Sequence, residues 1–236
     1  MTEVVNHDES APTGRTLAEV GAGLDMPLRE AMETQRAIRR LLPDPVDDDV
    51  IRRCIELALK APTGSNGQNW EFVVVKDAET KAAFAKQYRK IWKIYGGIGR
   101  RVTRNDPPMR RILDAVEWQI DHFEEVPVVV VACLRGWRAP GLPMPAIGAS
   151  SYYGSIYPSV QNLLLAARAM GLGAALITLP LYNVRKARRL LGLPISVMPC
   201  AMVPMGWPRG RYGPTTRKPV DTVLHLDRYG TPFPST

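Results

Sequence analysis

The sequence predicts a sandwich of the α+β or α/β class, built around one sheet, and three observations carry that expectation. Val126–Leu134 (VPVVVVACL) is a nearly unbroken apolar run of strand length, as expected of a central strand covered on both faces. Trp70–Lys76 (WEFVVVK) is a second short run rich in aromatic and β-branched residues. Val50, Ile51, Cys54, Ile55 and Ala58 recur at three-to-four spacing, the mark of an amphipathic helix.

The elements follow in chain order. Residues 1–25 are rich in Thr, Glu, Gly and Ala without an apolar period. They read as a mobile arm or a segment that wraps a partner, and 26–236 as one domain. Helical patterning starts near Leu28, with Met32, Gln35, Arg36 and Arg39 at helical spacing, and Pro43 and Pro45 end it. Asp47 offers an N-cap to a second helix that Pro62 stops. Residues 63–69 (TGSNGQN) read as a loop before the Trp70 strand. Residues 78–95 read as a helix broken by Gly96, Gly97 and Gly99, followed by a basic loop to Pro108 and a helix over 109–123.

Pro127 belongs at the start of the central strand, and 135–149 reads as a long loop. Ser155–Met170 is a helix so apolar that it must be buried in a core or between subunits. Ala174–Thr178 and Val197–Met205 read as strands on either side of a basic helix, Asn183–Leu191. From Pro219 the tail reads as an extended arm.

Composition excludes several classes of function. No apolar run approaches the roughly 18 residues that span a bilayer, and the polar, acidic start lacks a signal region. A cytoplasmic protein with no membrane partner is expected. Cys54, Cys133 and Cys200, like His7, His122 and His225, are scattered, so reduced thiols and no metal site are expected. The net charge of +8 is clustered: 89–111 carries eight basic residues against Asp106 alone, and Arg209, Arg211, Arg217 and Lys218 form a second group. Such clusters are solvated faces or attract nucleic acid, acidic lipid or a phosphorylated cofactor. Helix-turn-helix, zinc-finger and RNA-binding patterns are missing, so no specific nucleic-acid partner is expected. Dinucleotide-fingerprint, P-loop, GxSxG and HExxH motifs are missing too. Any chemistry then comes from a bound cofactor that does not use them.

Three segments matter together. Arg36 and Arg39 lie three apart, hence on one helix face, where two guanidinium forks suit a phosphate. Alone they read sooner as a solvated basic helix than as a phosphate site. Ala61–Trp70 (APTGSNGQNW) offers backbone amides and hydroxyls, or is simply a capped turn. Arg217-Lys218-Pro219 is alone a basic tail. Their order and spacing, with Val160–Gly173 (VQNLLLAARAMGLG), resemble the nitroreductase family of flavoproteins over about residues 28–230.

The resemblance implies an α+β fold with a central, mostly antiparallel sheet flanked by helices. It also implies an intertwined homodimer with an extended C-terminal arm (219–236) and FMN at the interface. Arg36 and Arg39 would meet the FMN phosphate, joined by Arg217. Ala37 stands where members often carry Ser, so one hydroxyl contact is lost. Pro62, Thr63 and Gly64 would reach the flavin from the other subunit, with Asn66 nearby. Ile177–Pro180 corresponds to the loop that aims a backbone N–H, here of Thr178 or Leu179, at the reactive flavin nitrogen, with Pro180 beside it.

The implied reaction is ping-pong electron transfer from NAD(P)H, NADPH favoured over NADH, to a nitroaromatic or quinone-like acceptor, without a catalytic acid–base pair. Stretches 89–111 and 135–149 are candidate lids. Arg100, Arg101 and Arg104 are candidates for the NAD(P)H phosphates. Tyr152 and Tyr153, with Trp92, Tyr95 and Trp137, are candidates for a wall beside an aromatic acceptor. The rivals are another flavin enzyme of the same fold (quinone reductase, dehalogenase or flavin-degrading) and a non-enzymatic flavin-binding protein.

Overall fold

The computed structural model describes residues 15–136 and 146–234. The helices are α1 (Leu17–Val20), α2 (Leu28–Thr34), α3 (Asp48–Ala58), α4 (Ala78–Val102), α5 (Pro107–Asp121), α6 (Ala146–Gly154), α7 (Tyr157–Ala169) and α8 (Val184–Leu190). The strands are β1 (Trp70–Val75), β2 (Val128–Arg135), β3 (Gly173–Ala174) and β4 (Val197–Gly206). They form one sheet in the order β1-β2-β4-β3, antiparallel throughout.

β2 is the centre in fact as in pattern. Val128 to Cys133 have no exposed surface and Leu134 only 1%. Side chains alternate across a strand, so Val128, Val130, Ala132 and Leu134 enter one core and Val129, Val131 and Cys133 the other. The first core is closed by α3 (Val50, Ile51, Cys54, Ala58) and α7 (Val160, Leu163, Leu164, Ala167). The second is closed by α4 (Phe84, Ala85, Tyr88, Ile91) and α5 (Ile120). All three cysteines are buried free thiols, and burial pushes those of Cys54 and Cys133 up to about 12.

The N-cap expected at Asp47 is present: its carboxylate accepts from the Asp49 amide at 2.8 Å, with Asp48 and Asp49 in the first turn. Of the segment expected to be an arm, 1–14 lies outside the described residues. From Leu17 the chain forms α1 and a 3-10 turn, Gly21–Asp25, and Leu17, Val20 and Leu24 pack on the first core. Gly23 lies so close to the Ala169 carbonyl that no Cβ fits there.

Two sequence expectations need correction here. The three glycines do not break α4, which runs through them to Val102. Gly96 leaves room for the Trp92 indole, 2.7 Å from where a Cβ would sit, and Gly99 faces Leu113 of α5. Arg100 ties the two helices together, 3.2 Å from Asp114 and also paired with Glu117. The expected basic loop is therefore a helical hairpin, turning at 103–106, with Asp106 capping α5 through the Met109 amide at 3.0 Å. The strand expected over Ala174–Thr178 is also shorter: after β3 only Ile177 pairs, as an isolated bridge to Met202. Of the long loop expected over 135–149, residues 137–145 lie outside the described residues, and Ala146 already begins α6.

Candidate functional site

α2 stops at Thr34, and Gln35 is extended (φ −68°, ψ 115°). Arg36 and Arg39 therefore do not share a helix face. The cause is tertiary: the Ile38 amide donates to the Ala174 carbonyl at 3.0 Å, the Leu42 amide to Trp207 at 2.8 Å, and the Arg209 amide to Arg40 at 3.0 Å. These bonds capture the segment between β3 and the exit of β4. Ile38 and Leu41 lie over Gly173, where a Cβ would come within 2.7 and 2.8 Å of them.

The captured segment forms one wall of a cavity of about 530 Å³. Arg36–Arg40, Ala115 and Trp118 of α5, His122 just past its end, and Arg209–Arg211 line it. Five of these are arginines and none is a carboxylate. The Trp118 indole stacks on His122 (centroids 4.2 Å, 24°), with the Arg40 and Arg209 guanidiniums 6.0 and 5.6 Å from its centre. Arg209 Nε also donates to the Leu41 carbonyl at 3.0 Å. Arg39 is half-buried, and its buried Nε–H has no partner among the described residues. Burial lowers its pKa, Tyr88 raises it and Arg36 lowers it further. Like charges brought together with an orphaned donor are costly, and a dianionic phosphate answers both costs through charge-assisted hydrogen bonds.

A second cavity, about 440 Å³, is lined by Tyr95, Tyr153, Tyr157 and Tyr182 with Thr178 and Leu179 among others. Leu179 opens a 3-10 turn, Leu179–Leu181, whose first amide is an orphan by geometry. Neither it nor the Thr178 amide donates to an acceptor among the described residues. Pro180, next in the chain, has no amide to offer. Ile38 of the first cavity and Leu179 of the second pack on the same core.

The other sequence candidates lie elsewhere. Pro62, Thr63, Gly64 and Asn66 line neither cavity. Their loop is anchored to the segment between α6 and α7, the Gly64 amide donating to Ser155 Oγ at 3.1 Å and Trp70 Nε1 to the Ser155 carbonyl at 2.7 Å. Ser65 and Asn66 (φ 51°) and Gln68 (φ 48°) take left-handed backbone there, which costs energy in non-glycine residues. Arg217 is exposed, donates to the Thr216 carbonyl at 2.8 Å and lines neither cavity. Tyr152 packs on the first core and donates to the Leu134 carbonyl at 3.3 Å, whereas Tyr153 reaches the second cavity. Arg100 is held by its two carboxylates, and Arg101 and Arg104 are exposed. Trp137 lies outside the described residues.

Sequence reasoning missed Arg40, Trp118 and His122, and left Arg209 and Arg211 as part of an unassigned basic group. The available signal was Trp118 and His122 four apart on one helix, hence on one face.

Comparison with known proteins agrees with this architecture. A protein of Thermus thermophilus named NADH dehydrogenase is 29% identical over 200 residues, covering 80% of this chain and 91% of its own. Rat iodotyrosine deiodinase 1 is 26% identical over 200 residues, covering 83% of this chain and 67% of its own. The crystal structure of a putative nitroreductase from Desulfovibrio desulfuricans, in complex with FMN, superposes with a TM-score of 0.62. It has 21% identity and covers 87% of this chain and 99% of its own. The sequence model of the nitroreductase family matches residues 32–207, well over half of the 236, and the chain belongs to the nitroreductase family.

Proposed function

We propose that this chain is an FMN-dependent oxidoreductase that takes electrons from NAD(P)H and passes them to a nitroaromatic or quinone-like acceptor. The observation that carries the reading is the arginine-lined cavity with its orphaned, buried Arg39 Nε–H. Its chemistry fits a mononucleotide phosphate, held by Arg36 and Arg39, with Ala37 beside them contributing backbone alone. Arg40, Arg209 and Arg211 add charge to the same cavity. A flavin bound there would supply the redox chemistry between the nicotinamide nucleotide and the acceptor. The amides of Thr178 and Leu179 are free to donate to a ring nitrogen, and fixed donors at a point of developing charge lower a barrier without reorganisation. The tyrosines of the second cavity, Tyr153 among them, offer flat apolar surface to an aromatic partner.

The working unit in this reading is a homodimer. Pro62, Thr63, Gly64 and Asn66 are exposed or half-buried and absent from both cavities, as expected of groups that serve a neighbour's flavin. The tail exposes Val220, Val223, Tyr229 and Phe233, apolar surface that a second copy would cover. Arg217 in that tail would reach the phosphate on assembly. Arg101 and Arg104 are exposed cations open to a nucleotide phosphate, whereas Arg100 is already neutralised. Among the described residues no helix is long and apolar enough to cross a membrane.

A dehalogenase is the second reading, favoured by the rat iodotyrosine deiodinase relative and by the tyrosine-lined cavity. Both readings meet one experiment: anaerobic reduction of the purified, flavin-loaded protein by NADPH or NADH, then reoxidation by a nitroaromatic, a quinone or a halotyrosine. Reoxidation by the halotyrosine alone selects the second reading. Colourless protein that takes up no added FMN defeats both.

A further inference from the structure

A groove of about 590 Å³ opens between α4 and α8, apart from the arginine cavity. Lys86, Lys90 and Lys93 of α4 line it with Lys186 of α8. The three α4 positions recur at four and three, so they share a helix face. None of these four lysines joins an ion pair among the described residues, whereas Arg89 beside them is paired with Glu124 at 3.0 Å.

Gln87 also lines the groove. It is only 9% exposed, and neither its amide nitrogen nor its amide oxygen has a hydrogen-bond partner. Buried polar groups are rarely left so. An adenine edge presents an acceptor beside a donor and satisfies a glutamine amide on both atoms at once. The groove neighbours the tyrosine-lined cavity, with the exposed Tyr182 lining both. Lys86 and Tyr95 stand nine residues apart on α4, about 13 Å along the axis, a length that an extended dinucleotide bridges.

We propose that this groove binds the adenosine 2′,5′-bisphosphate half of NADPH. The inference rests on the reading above, that the chain draws electrons from a nicotinamide nucleotide. The lysines hold the phosphates, Gln87 turns its covered amide outward to read the adenine, and the chain of the ligand passes Tyr182 so that the nicotinamide enters the second cavity. This assigns the direct phosphate contacts to the α4–α8 side and leaves Arg101 and Arg104, nearer the turn of the helical hairpin, to longer-range attraction of the same nucleotide.

The test is titration calorimetry of the full chain, with and without FMN, using adenosine 2′,5′-bisphosphate, which has no nicotinamide. Lys90→Glu with Lys93→Glu, and separately Lys186→Glu, should each weaken binding about tenfold or more, the worth of one charge-assisted contact. Gln87→Leu should weaken the bisphosphate and leave inorganic pyrophosphate unchanged. In turnover, the lysine variants should raise KM for NADPH more than for NADH. Bisphosphate affinity indifferent to the lysines, in protein whose flavin NADPH still bleaches, overturns this inference alone. Equal weakening of bisphosphate and pyrophosphate by Gln87→Leu overturns the adenine assignment. Flavin that neither NADPH nor NADH bleaches overturns the reductant reading and this inference with it.

Discussion

Arg39→Met separates a structural arginine from a ligand-binding one. The guanidinium is half-buried, its Nε–H has no partner, and burial already holds its pKa down. An unsatisfied buried donor costs about 1–3 kcal/mol. Methionine keeps most of the apolar stem and removes that cost. Without FMN, the variant should therefore melt at the same temperature as the parent or above it. With FMN the sign reverses. Losing one charge-assisted contact costs about 1.5–3 kcal/mol, a Kd raised about 10- to 150-fold. At a flavin concentration of 100 times the parent Kd, ligand stabilises the parent by about 2.7 kcal/mol, and a variant 100-fold weaker keeps only about 0.4 kcal/mol. Quenching of flavin fluorescence gives Kd, and melts with and without FMN give the linked stability. Arg101→Met, at an exposed position, is the control. An apo protein destabilised by 2 kcal/mol or more with unchanged flavin affinity would show that Arg39 braces the fold and does not grip a phosphate.

Further outcomes follow from the same structure. Gly173→Ala pushes a methyl into Ile38 and Leu41. Urea unfolding should show a loss of about 1–3 kcal/mol, accompanied by weaker flavin binding because those residues carry the arginine segment. Val130→Ala empties a site with no exposed surface on β2 and should cost about 2 kcal/mol without altering Kd for FMN. Asp77 caps α4, and hydrogen bonds from the Thr80 hydroxyl and amide hold its carboxyl pKa below the ordinary value of an aspartate. A depressed carboxylate contributes stability above its unfolded pKa and loses it as pH falls through the folded one. Asp77→Asn should therefore flatten the melting curve's dependence on pH below about 4, and an unchanged acid limb would contradict this.

The parts of the fold legible in the sequence were those where local pattern and tertiary demand agree. Seven consecutive apolar residues in the strand Val128–Arg135 admit little but a covered centre, and Asp47 announces a helix start by its own chemistry. Legibility failed where distant partners decide. Residues 35–40 carry no apolar period to fix their conformation, and partners on β3 and just past β4 impose a non-helical one. Gly96, Gly97 and Gly99 weaken a helix by propensity, yet packing of Trp92 and Leu113 and the Arg100 clasp hold it. The phosphate-binding candidates Arg36 and Arg39 could be named from motif, but Arg40, Trp118 and His122 could not. They join the cavity only because α5 folds back against the captured segment.

The buried cysteines bear on how long such a catalyst lasts. Nitro-group reduction yields nitroso electrophiles, and reduced flavins leak electrons to oxygen as peroxide. Both are attacked by thiolates, not by thiols. With Cys54 and Cys133 at about 12, on the order of one in 10⁵ is ionised at neutral pH, whereas Cys200, buried but for 7% of its surface, lines the tyrosine cavity. Under the proposed reaction Cys54 and Cys133 would be spared the by-products, and alkylating reagents should leave those two unlabelled until the chain unfolds.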